Sequence, residues 1–580
     1  MFDKKLLAKM FNFTTNKKET IKIGIINFFT AIPYLLFYKY ILSNVIDKYI
    51  PEKNIKMVII LSSILILIIF IRFWFDKYGV IKRKLCYYDN DRQIKKKIFN
   101  SIQDAEISKI EEFQVGELFN VTTTQSFEAS QLFVWNILGI VSIRIRSILI
   151  ISIIMFFIDW KIALIVIGIF IFSYIILIPF YNKNMKNYKN MQQSIINLQG
   201  KINEYIDSFS TTKTLRLEEI NIEDIKVMLE KTKYELIKSG KILGLHTAIF
   251  SLLTFFATIA TLIIGGNQII IGLGVGSTII LIIDYISDIS NHMQSLLEHV
   301  HGVINKYNCF INVLKIIDTN KEEDKGTLEL EKIKSIEFKD VKLSYDNVNT
   351  TLENINLKID KPLTVAIVGK SGAGKTSFVN LIPRFYNLTE GQILINGIDY
   401  TKYKLNELRK NISYVFQEPV ILNMSIKDNL MYGNENITFD DVKNICNKIG
   451  LAEKIKDFSN GYDTIIDNKT DILSYGEKQL LSFARAILKD GSIVVLDEVT
   501  SNLDLEFENK IMETNKIILK NKISFVIAHR INTIKDADLI IFIEDKHIAE
   551  MGTHDELIKK HGYYYNLYMS NEKKKDILQV

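Results

Sequence analysis

The sequence predicts a chain of two parts, a helical membrane domain in the first half and an α/β domain in the second. Hydrophobic windows of about 20 residues, long enough to cross a ~30 Å hydrocarbon core as helices, lie in the first half. From about Ser335, short apolar strands alternate with helical stretches, which is the pattern of an α/β domain. A mean hydropathy of +0.12 alongside 24% charged residues fits this division into apolar and globular parts.

Composition excludes two other classes of protein. The 580 residues are 48% hydrophobic, so large cores can form and an intrinsically disordered chain is excluded. The three cysteines, Cys86, Cys309 and Cys446, lie far apart, which excludes a disulfide-stapled secreted fold. A net charge of +6 is no nucleic-acid signal by itself, because Lys-rich membrane proteins carry a similar balance. We therefore expect no nucleic-acid partner.

Six segments of the first half fit membrane spans: 23–42, 55–75, 138–158, 162–181, 247–266 and 276–293. The last is interrupted by Asp284 and Asp288. The two long connections, 76–137 and 182–246, are rich in Lys, and positive charge collects on the cytoplasmic side of a membrane. This predicts a multi-pass protein of the cytoplasmic membrane with both termini inside. The helical pattern of the long connections predicts that they continue the membrane helices into the cytosol.

These observations divide the chain into four parts. Residues 1–21 form an N-terminal cytoplasmic lead-in, either an amphipathic helix on the membrane surface or simply a basic segment. Residues 22–314 form the six-helix transmembrane domain, and 315–333, with its Lys, Glu and Asp cluster, is the linker. Residues 334–580 form the α/β domain, with strands at 335–338, 363–368, 392–395, 493–496 and 524–527.

A phosphate-binding loop follows the second of these strands. The motif G-x-x-x-x-G-K-[ST] is matched by Gly369, Lys370, Ser371, Gly372, Ala373, Gly374, Lys375 and Thr376. Its glycines let main-chain N–H groups wrap phosphate oxygens, and the helix that follows adds positive potential at its N-terminus. Lys375 is expected to hold the β- and γ-phosphates of ATP, and Thr376 to ligate Mg²⁺. The predicted fold class is therefore a polytopic α-helical membrane domain followed by an α/β P-loop ATPase domain.

An acidic pair ends a later strand of the same domain. The apolar run 492–496 leads directly into Asp497 and Glu498. Behind a P-loop, Asp497 is placed to hold Mg²⁺ through water, and Glu498 to polarise the water that attacks the γ-phosphate. The expected cofactors are ATP and Mg²⁺.

The segment 473–480, Leu-Ser-Tyr-Gly-Glu-Lys-Gln-Leu, resembles the signature of ABC transporters. The resemblance extends over nearly the whole chain, because six spans followed by one ATPase domain is the arrangement of exporter-type half-transporters. It implies that Ser474 and Gly476 contact the γ-phosphate of ATP held on the P-loop of a partner chain. In the first cytoplasmic connection, 116–118 (Gly-Glu-Leu) resembles the coupling region of the family.

The resemblance implies roles for further residues. Tyr345 is similar to the aromatic residue that stacks on adenine, and Gln417 to the Q-loop residue that links the metal site to the membrane domain. Asp504 ends a segment that resembles the D-loop, and His529 resembles the switch histidine that contacts the γ-phosphate. The expected site thus includes Ser377 beside the P-loop, the catalytic residues Glu498, His529 and Gln417, and the metal ligands Thr376, Gln417 and Asp497.

The signature departs from the usual Leu-Ser-Gly-Gly-Gln of the family. Tyr475 replaces a glycine and is expected to crowd the partner's nucleotide, while Glu477 replaces the glutamine and is expected to add negative charge near the triphosphate. A half-transporter must pair, and the departures favour a heterodimer whose second site is degenerate. A homodimer in which Tyr475 is simply tolerated is the alternative.

The resemblance implies ATP-driven export of an amphipathic substrate (drug, lipid or peptide) by alternating access, in contact with membrane lipid. The alternative is an ATP-binding regulatory protein of the same family that gates without pumping. In the predicted bundle Arg146 and Asp288 each lie ~18 Å from the outer boundary, at 1.5 Å per residue. Either they pair with one another, or Arg146, with Arg144, attracts an anionic headgroup or a peptide carboxylate.

Overall fold

The structure, a computed structural model, describes most of the chain. The described residues are 13, 17–137, 139–272, 275–345, 349–434, 436–467, 472–497, 505–528 and 534–578. They fall into two compact units. The helical unit comprises the described residues up to Gln103 together with Phe113–Thr319, and the sheet unit comprises Asp104–Glu112 and the residues from Asn320 onward.

Long helices make up the helical unit. They are α1 (Lys17–Tyr49), α2 (Ile55–Asp104), α4 (115–137), α5 (Ile140–Ile158), α6 (Trp160–Asp207), α7 (Phe209–Leu215), α8 (Glu218–Ile270) and α9 (Gly276–Ile317), with the short helix α3 (Ile107–Ile110) lying in the sheet unit. The helices α2, α6 and α8 have 50, 48 and 53 residues, far more than a bilayer requires. The prediction that the long connections continue the apolar helices is confirmed, and their cytosolic location remains a prediction.

Among the described residues, α1, α2, α5 and α8 are long and apolar enough to cross a membrane. The predicted span 162–181 lies on α6, where the shorter stretch Trp160–Ser173 is apolar. The predicted span 276–293 lies on α9, which contains Asp284 and Asp288. Each predicted span thus falls on a helix, and the count of six remains a prediction.

The break between α5 and α6 has a local cause. Asp159 follows the last residue of α5, and its carboxylate accepts hydrogen bonds from the main-chain N–H groups of Lys161 and Ile162, at 2.9 and 3.1 Å. This N-cap satisfies two of the amides that a helix start leaves unpaired. Gln268 of α8 donates to the second carboxylate oxygen at 2.7 Å, so the turn is also fastened to a neighbouring helix.

The sheet unit contains two principal sheets. Its strands are β1 (Ile336–Ser344), β2 (Thr350–Ile359), β3 (Thr364–Val368), β4 (Glu390–Ile395), β5 (Ile398–Asp399), β6 (Ile412–Val415), β7 (Met424–Ser425), β8 (Ile465–Ile466), β9 (Ile493–Asp497), β10 (Ile523–Ile527), β11 (Leu539–Glu544) and β12 (His547–Gly552). A six-stranded sheet has the order β12-β11-β3-β10-β9-β6, and its strands are parallel apart from β12. An antiparallel sheet has the order β2-β1-β4-β5.

The helices of the sheet unit surround these sheets. They are α10 (Lys375–Asn380), α11 (Leu405–Lys410), α12 (Ile426–Met431), α13 (Phe439–Lys448), α14 (Leu451–Lys456), α15 (Tyr475–Lys489), α16 (Leu505–Leu519), α17 (His554–Lys560) and α18 (Tyr563–Leu578). All five predicted strands are confirmed, but 335–338 and 392–395 belong to the antiparallel sheet and the other three to the parallel one.

The parallel sheet is buried on both faces. Along β9, Ile493 and Val495 pack into one hydrophobic cluster, and Val494 and Leu496 pack into another on the opposite face. Because side chains alternate between the faces of a strand, a strand covered on both sides is apolar at nearly every position. This explains why the sequence of β9 is an unbroken apolar run that ends in an acid.

The segment Asp104–Glu112 lies against later parts of the sheet unit. The main-chain N–H of Glu322 donates to the carbonyl of Asp104 at 2.7 Å, and the hydroxyl of Tyr386 donates to the carboxylate of Glu111 at 2.8 Å. Residues 320–333, which are part of the predicted linker, also belong to the sheet unit. Leu330 and Ile333 are buried in its hydrophobic core. The domain boundaries given from the sequence remain predictions.

Candidate nucleotide-binding site

The P-loop leaves the carboxyl end of β3 and needs glycine at two positions. Gly369 has φ +155°, and a Cβ there would lie 2.3 Å from the main-chain oxygen of Ile543. Gly374, the N-cap of α10, has φ +98°, and a Cβ there would lie 2.9 Å from Leu352 Cδ2. Side chains would strain both turns and collide with their neighbours. The predicted loop is therefore formed by backbone that other residues cannot adopt without strain.

Lys375 lies in the first turn of α10, and its side chain extends back to the carbonyl groups of the P-loop. Its Nζ is 2.9 Å from the carbonyl oxygen of Gly369 and 3.0 Å from that of Lys370, and the residue is only 7% exposed. A buried ammonium that bonds to neutral carbonyls is a strong donor for an anion brought to the same place. This is the geometry expected of the residue that holds the β- and γ-phosphates.

The side chain of Lys370 has a different partner. Its Nζ pairs with the carboxylate of Glu544 at 2.5 Å, and this partner raises the pKa of Lys370. The group of Lys370 that could bind phosphate is therefore its main-chain N–H. Ser371 and Gly372 are exposed, and Ala373 N–H donates to the carbonyl of Lys370 at 3.2 Å, which tightens the turn.

Tyr345 lies beside the P-loop helix. Its hydroxyl donates to Ser377 Oγ at 2.9 Å, and its ring packs edge-on against Tyr386 with the centroids 4.8 Å apart. Burial raises the pKa of Tyr345, yet the residue is 49% exposed, so part of its surface is open. The structure thus brings together the predicted adenine-stacking residue and Ser377.

Asp497 ends β9 and is 5% exposed. Since it lies opposite Ile527 of β10, and β10 also pairs with β3, the P-loop and Asp497 emerge from the same edge of the sheet. Nucleotide sites of open α/β sheets lie at this carboxyl edge. Burial and the nearby Asp497 carboxylate together raise the pKa of Tyr414 on β6.

The residues at this edge fit a magnesium ion bound together with a nucleotide. Asp497 offers a carboxylate and the exposed Thr376 a hydroxyl, both hard oxygen donors of the kind that Mg²⁺ prefers. Within the described part of the chain, no group of three or more His, Cys, Asp or Glu side chains could hold a metal ion. An ion here would therefore take its other ligands from phosphate oxygens, water and uncharged side chains such as the predicted ligand Gln417.

The signature segment begins helix α15 with a capping box. Ser474 is the N-cap: its Oγ accepts from the N–H of Glu477 at 3.3 Å, and the Glu477 carboxylate accepts from the N–H of Ser474 at 2.7 Å. Lys454 Nζ lies 3.6 Å from the same carboxylate, which is largely buried. The Glu477 carboxylate is thus directed to its own helix start and to Lys454, and the expectation that it adds negative charge near the triphosphate stays a prediction. The S-x-x-E spacing was a sequence signal for this motif.

Gln417 follows β6 and contacts α15. Its main-chain oxygen accepts hydrogen bonds from Tyr475 Oη at 3.0 Å and from Gln479 Nε2 at 2.9 Å. The sequence identified Gln417 and Tyr475 separately but not their contact. Ser474 is exposed and Gly476 is buried at the start of the same helix.

Three predicted residues, Glu498, Asp504 and His529, lie outside the residues that the structure describes. The expected coupling segment 116–118 lies on α4 of the helical unit, whereas the part of this connection found in the sheet unit is Asp104–Glu112.

Comparison with known proteins decides the family. The family model of the ABC transporter transmembrane region matches residues 21–289, and the family model named ABC transporter matches residues 352–501. A Staphylococcus aureus protein (bovine strain RF122) named for multidrug export as an ATP-binding/permease protein is 30% identical over 573 residues, covering 95% of this chain and 96% of its own. The chain belongs to the ABC transporter family. It is an exporter-type half-transporter, with an ATP-binding domain fused to a transmembrane region.

Two further relatives extend the comparison of this transporter. A protein of the same name in S. aureus strain NCTC 8325 is 29% identical over 562 residues, covering 95% of this chain and 96% of its own. A solved structure of a bacterial Atm1-family ABC exporter with ATP bound superposes with a TM-score of 0.80, covering 96% of this chain and 98% of that one, at 21% identity. The transporter therefore has the fold of an ABC exporter, binds ATP and is a multi-pass membrane protein whose ATPase activity is coupled to transport.

Proposed function

We propose that the transporter exports an amphipathic substrate across the cytoplasmic membrane by alternating access, with both termini in the cytoplasm. The observation that carries this proposal is the common sheet edge of the P-loop and Asp497, on a chain whose other unit consists of long apolar helices. The Lys-rich connections 76–137 and 182–246 support the cytoplasmic orientation.

Hydrolysis takes place at a composite site between two subunits. ATP lies on the P-loop of one subunit, where Lys375 exchanges its carbonyl partners for phosphate oxygens and Tyr345 stacks on the adenine. Thr376, Asp497 and Gln417 would hold a Mg²⁺ ion bound with the nucleotide, and this ion would neutralise the charge that develops on the phosphates. Ser474 and Gly476 of the partner subunit complete the site, which the exposure of Ser474 supports.

Binding of ATP across this interface closes the pair of ATP-binding domains. The closure passes through the cytoplasmic parts of α2, α6 and α8 and turns the cavity from inward-facing to outward-facing. Glu498 then accepts a proton from the attacking water and His529 contacts the γ-phosphate. Hydrolysis and product release reset the transporter.

The test is the substitution Glu498→Gln in the full chain reconstituted in lipid. We expect ATP binding to remain and turnover to fall by at least ~10²-fold, the usual effect of losing a general base. The matched control is Glu513→Gln, an exposed glutamate on α16, which should leave turnover unchanged. Equal turnover in the wild type and in Glu498→Gln would exclude Glu498 as the base.

The same assay separates the possible assemblies. Glu498-dependent turnover by the chain purified alone supports a homodimer. Binding without turnover that is restored by a co-purifying second half-transporter supports the heterodimer, which the altered signature favours. Binding without turnover in either case supports the regulatory alternative.

A further inference from the structure

A cavity of about 540 Å³ lies within the helical unit. Part of its wall is apolar, formed by Leu35, Ile69 and Phe73 among others. The rest is charged or polar, formed by Arg72, Asp76, Arg146, Ser147, Asp288 and His292. A cavity with both surfaces suits a ligand that has an apolar body and a charged end.

Arg146, on α5, is the most buried charged residue of this wall, at 5% exposure. Its Nη1 donates to the main-chain oxygen of Asn27, and its Nη2 lies 3.4 Å from Ser147 Oγ. Its Nε is buried and has no hydrogen-bond partner. The hydrogen bonds of Arg146 thus end on neutral atoms, and the predicted pairing with Asp288 is not formed although both residues line the cavity.

The Asp76 carboxylate of the wall acts on Arg146 electrostatically but is paired with Arg72, and it forms no direct ion pair with Arg146. Arg72 and Asp76, one turn apart on α2, pair with each other at 3.3 Å. The neighbouring Arg144 lies outside the lining; its Nη1 is 3.3 Å from Nδ1 of His292, and its own Nε is buried without a partner. Two adjacent guanidinium groups on one helix therefore each retain an unused buried donor.

A buried guanidinium without an anionic partner is costly, and more so inside a membrane. The planar donors of arginine match the oxygens of a carboxylate or phosphate. We propose that this cavity binds the oxyanion group of an amphipathic ligand through Arg146, with the apolar wall holding the rest of the molecule. The inference rests on the proposed function of export and names the chemical class of the substrate.

The test measures binding without ATP. The protein is the full chain in phosphatidylcholine nanodiscs, and the probes are dodecyl phosphate and dodecyltrimethylammonium, which share a chain but differ in charge. We expect dodecyl phosphate to bind at least about tenfold more tightly, and Arg146→Gln to remove this preference. Arg146→Lys should retain part of it. Arg92→Gln, which alters an exposed arginine of α2 outside the cavity, should have no effect.

Nanodiscs that contain phosphatidylglycerol distinguish the source of the oxyanion. Competition between this lipid and dodecyl phosphate would show that membrane lipid enters the cavity, while no competition would assign the site to ligands from the cytoplasm. Either result upholds the oxyanion site, and the wild-type comparison remains decisive if Arg146→Gln does not fold. Equal binding of the two probes by the wild type would overturn the inference.

Failure here is distinct from failure of the proposed function. A chain that hydrolyses ATP in a Glu498-dependent way but does not distinguish the probes contradicts only the oxyanion site. A chain that binds dodecyl phosphate through Arg146 but has no turnover, either alone or with a co-purifying second half-transporter, contradicts only the export proposal.

Discussion

Tyr475 at the start of the signature helix donates a hydrogen bond of 3.0 Å to the main-chain oxygen of Gln417, 58 residues earlier. The same oxygen accepts from Gln479 at 2.9 Å. Because the family usually has glycine at this position, the hydroxyl adds a contact between the signature segment and the predicted Q-loop residue Gln417. The tyrosine is also 37% exposed, so it presents part of its ring at the surface next to Ser474.

We expect Tyr475→Gly to raise the ATP turnover of the purified chain by about threefold to tenfold, equivalent to ~0.7–1.4 kcal/mol of activation free energy. The reason is steric, because the substitution removes a ring that the proposed composite site places next to the partner's nucleotide. The measurement is initial turnover in nanodiscs at saturating ATP.

Tyr475→Phe is the matched control, since it removes the hydroxyl but keeps the ring. It loses one partly exposed hydrogen bond, worth about 0.5–1 kcal/mol, and the bond from Gln479 remains. We expect turnover close to that of the wild type. An increase as large as that of Tyr475→Gly would mean that the bond to Gln417, and not the ring, limits turnover.

Glu477→Gln should leave turnover within about twofold of the wild type. Glutamine can take the N3 position of a capping box as glutamate does. The carboxylate of Glu477 is paired with Lys454 and hydrogen-bonded to the start of its own helix. Glu477→Ala breaks the box and should destabilise α15 by about 1 kcal/mol. Thermal unfolding of both variants should show a lower midpoint for Glu477→Ala than for Glu477→Gln. A marked gain of turnover in Glu477→Gln would contradict the expectation that this carboxylate does not limit turnover.

Gly369→Ala should weaken ATP binding and lower stability by about 1–3 kcal/mol, because it combines a left-handed φ with a collision at Ile543. Gly397→Ala is the control, with φ +78° but nothing within 4 Å of a new Cβ. The difference between the two variants isolates the collision. Unfolding midpoints and binding of a fluorescent ATP analogue provide the measurement, and equal effects in both would assign the cost to φ alone.

Cys446 should resist thiol reagents until the sheet unit unfolds. It is fully buried on α13, and burial raises its pKa to about 11, partly offset by a hydrogen bond with Tyr462. At pH 7.5 the reactive thiolate is therefore rarer than for a free cysteine. In a chain with Cys86→Ser and Cys309→Ser, maleimide labelling should require denaturant. Rapid labelling of the native chain would contradict this burial.

Local patterns predicted much of this structure. The apolar run before Asp497 identified β9, because a strand covered on both faces gives a run of apolar residues that is easy to see in the sequence. The P-loop was identified because its glycines occupy conformations that few other residues adopt. Both signals lie within about ten neighbouring residues of the sequence.

Contacts between distant residues could not be predicted in this way. Nothing near Tyr475 indicates that its hydroxyl reaches Gln417, since the contact depends on how α15 packs beside the segment after β6. The predicted pair of Arg146 and Asp288 rested on depth along two helices, but depth does not fix the direction of a side chain. Assignment of the first strand to a second sheet depended likewise on its long-range pairing with β4.

The segment Asp104–Glu112 has a consequence for biosynthesis. It belongs to the sheet unit but precedes Asn320 by about 200 residues. At ~5–20 residues per second, a ribosome takes ~10–40 s to make the intervening chain. The main chain at Asp104 can bond to Glu322 only after that time, and the carboxylate of Glu111 can bond to Tyr386, 275 residues later, only after ~14–55 s. The sheet unit is therefore not a contiguous C-terminal domain, since its complete set of contacts includes a segment that leaves the ribosome well before the rest of the unit.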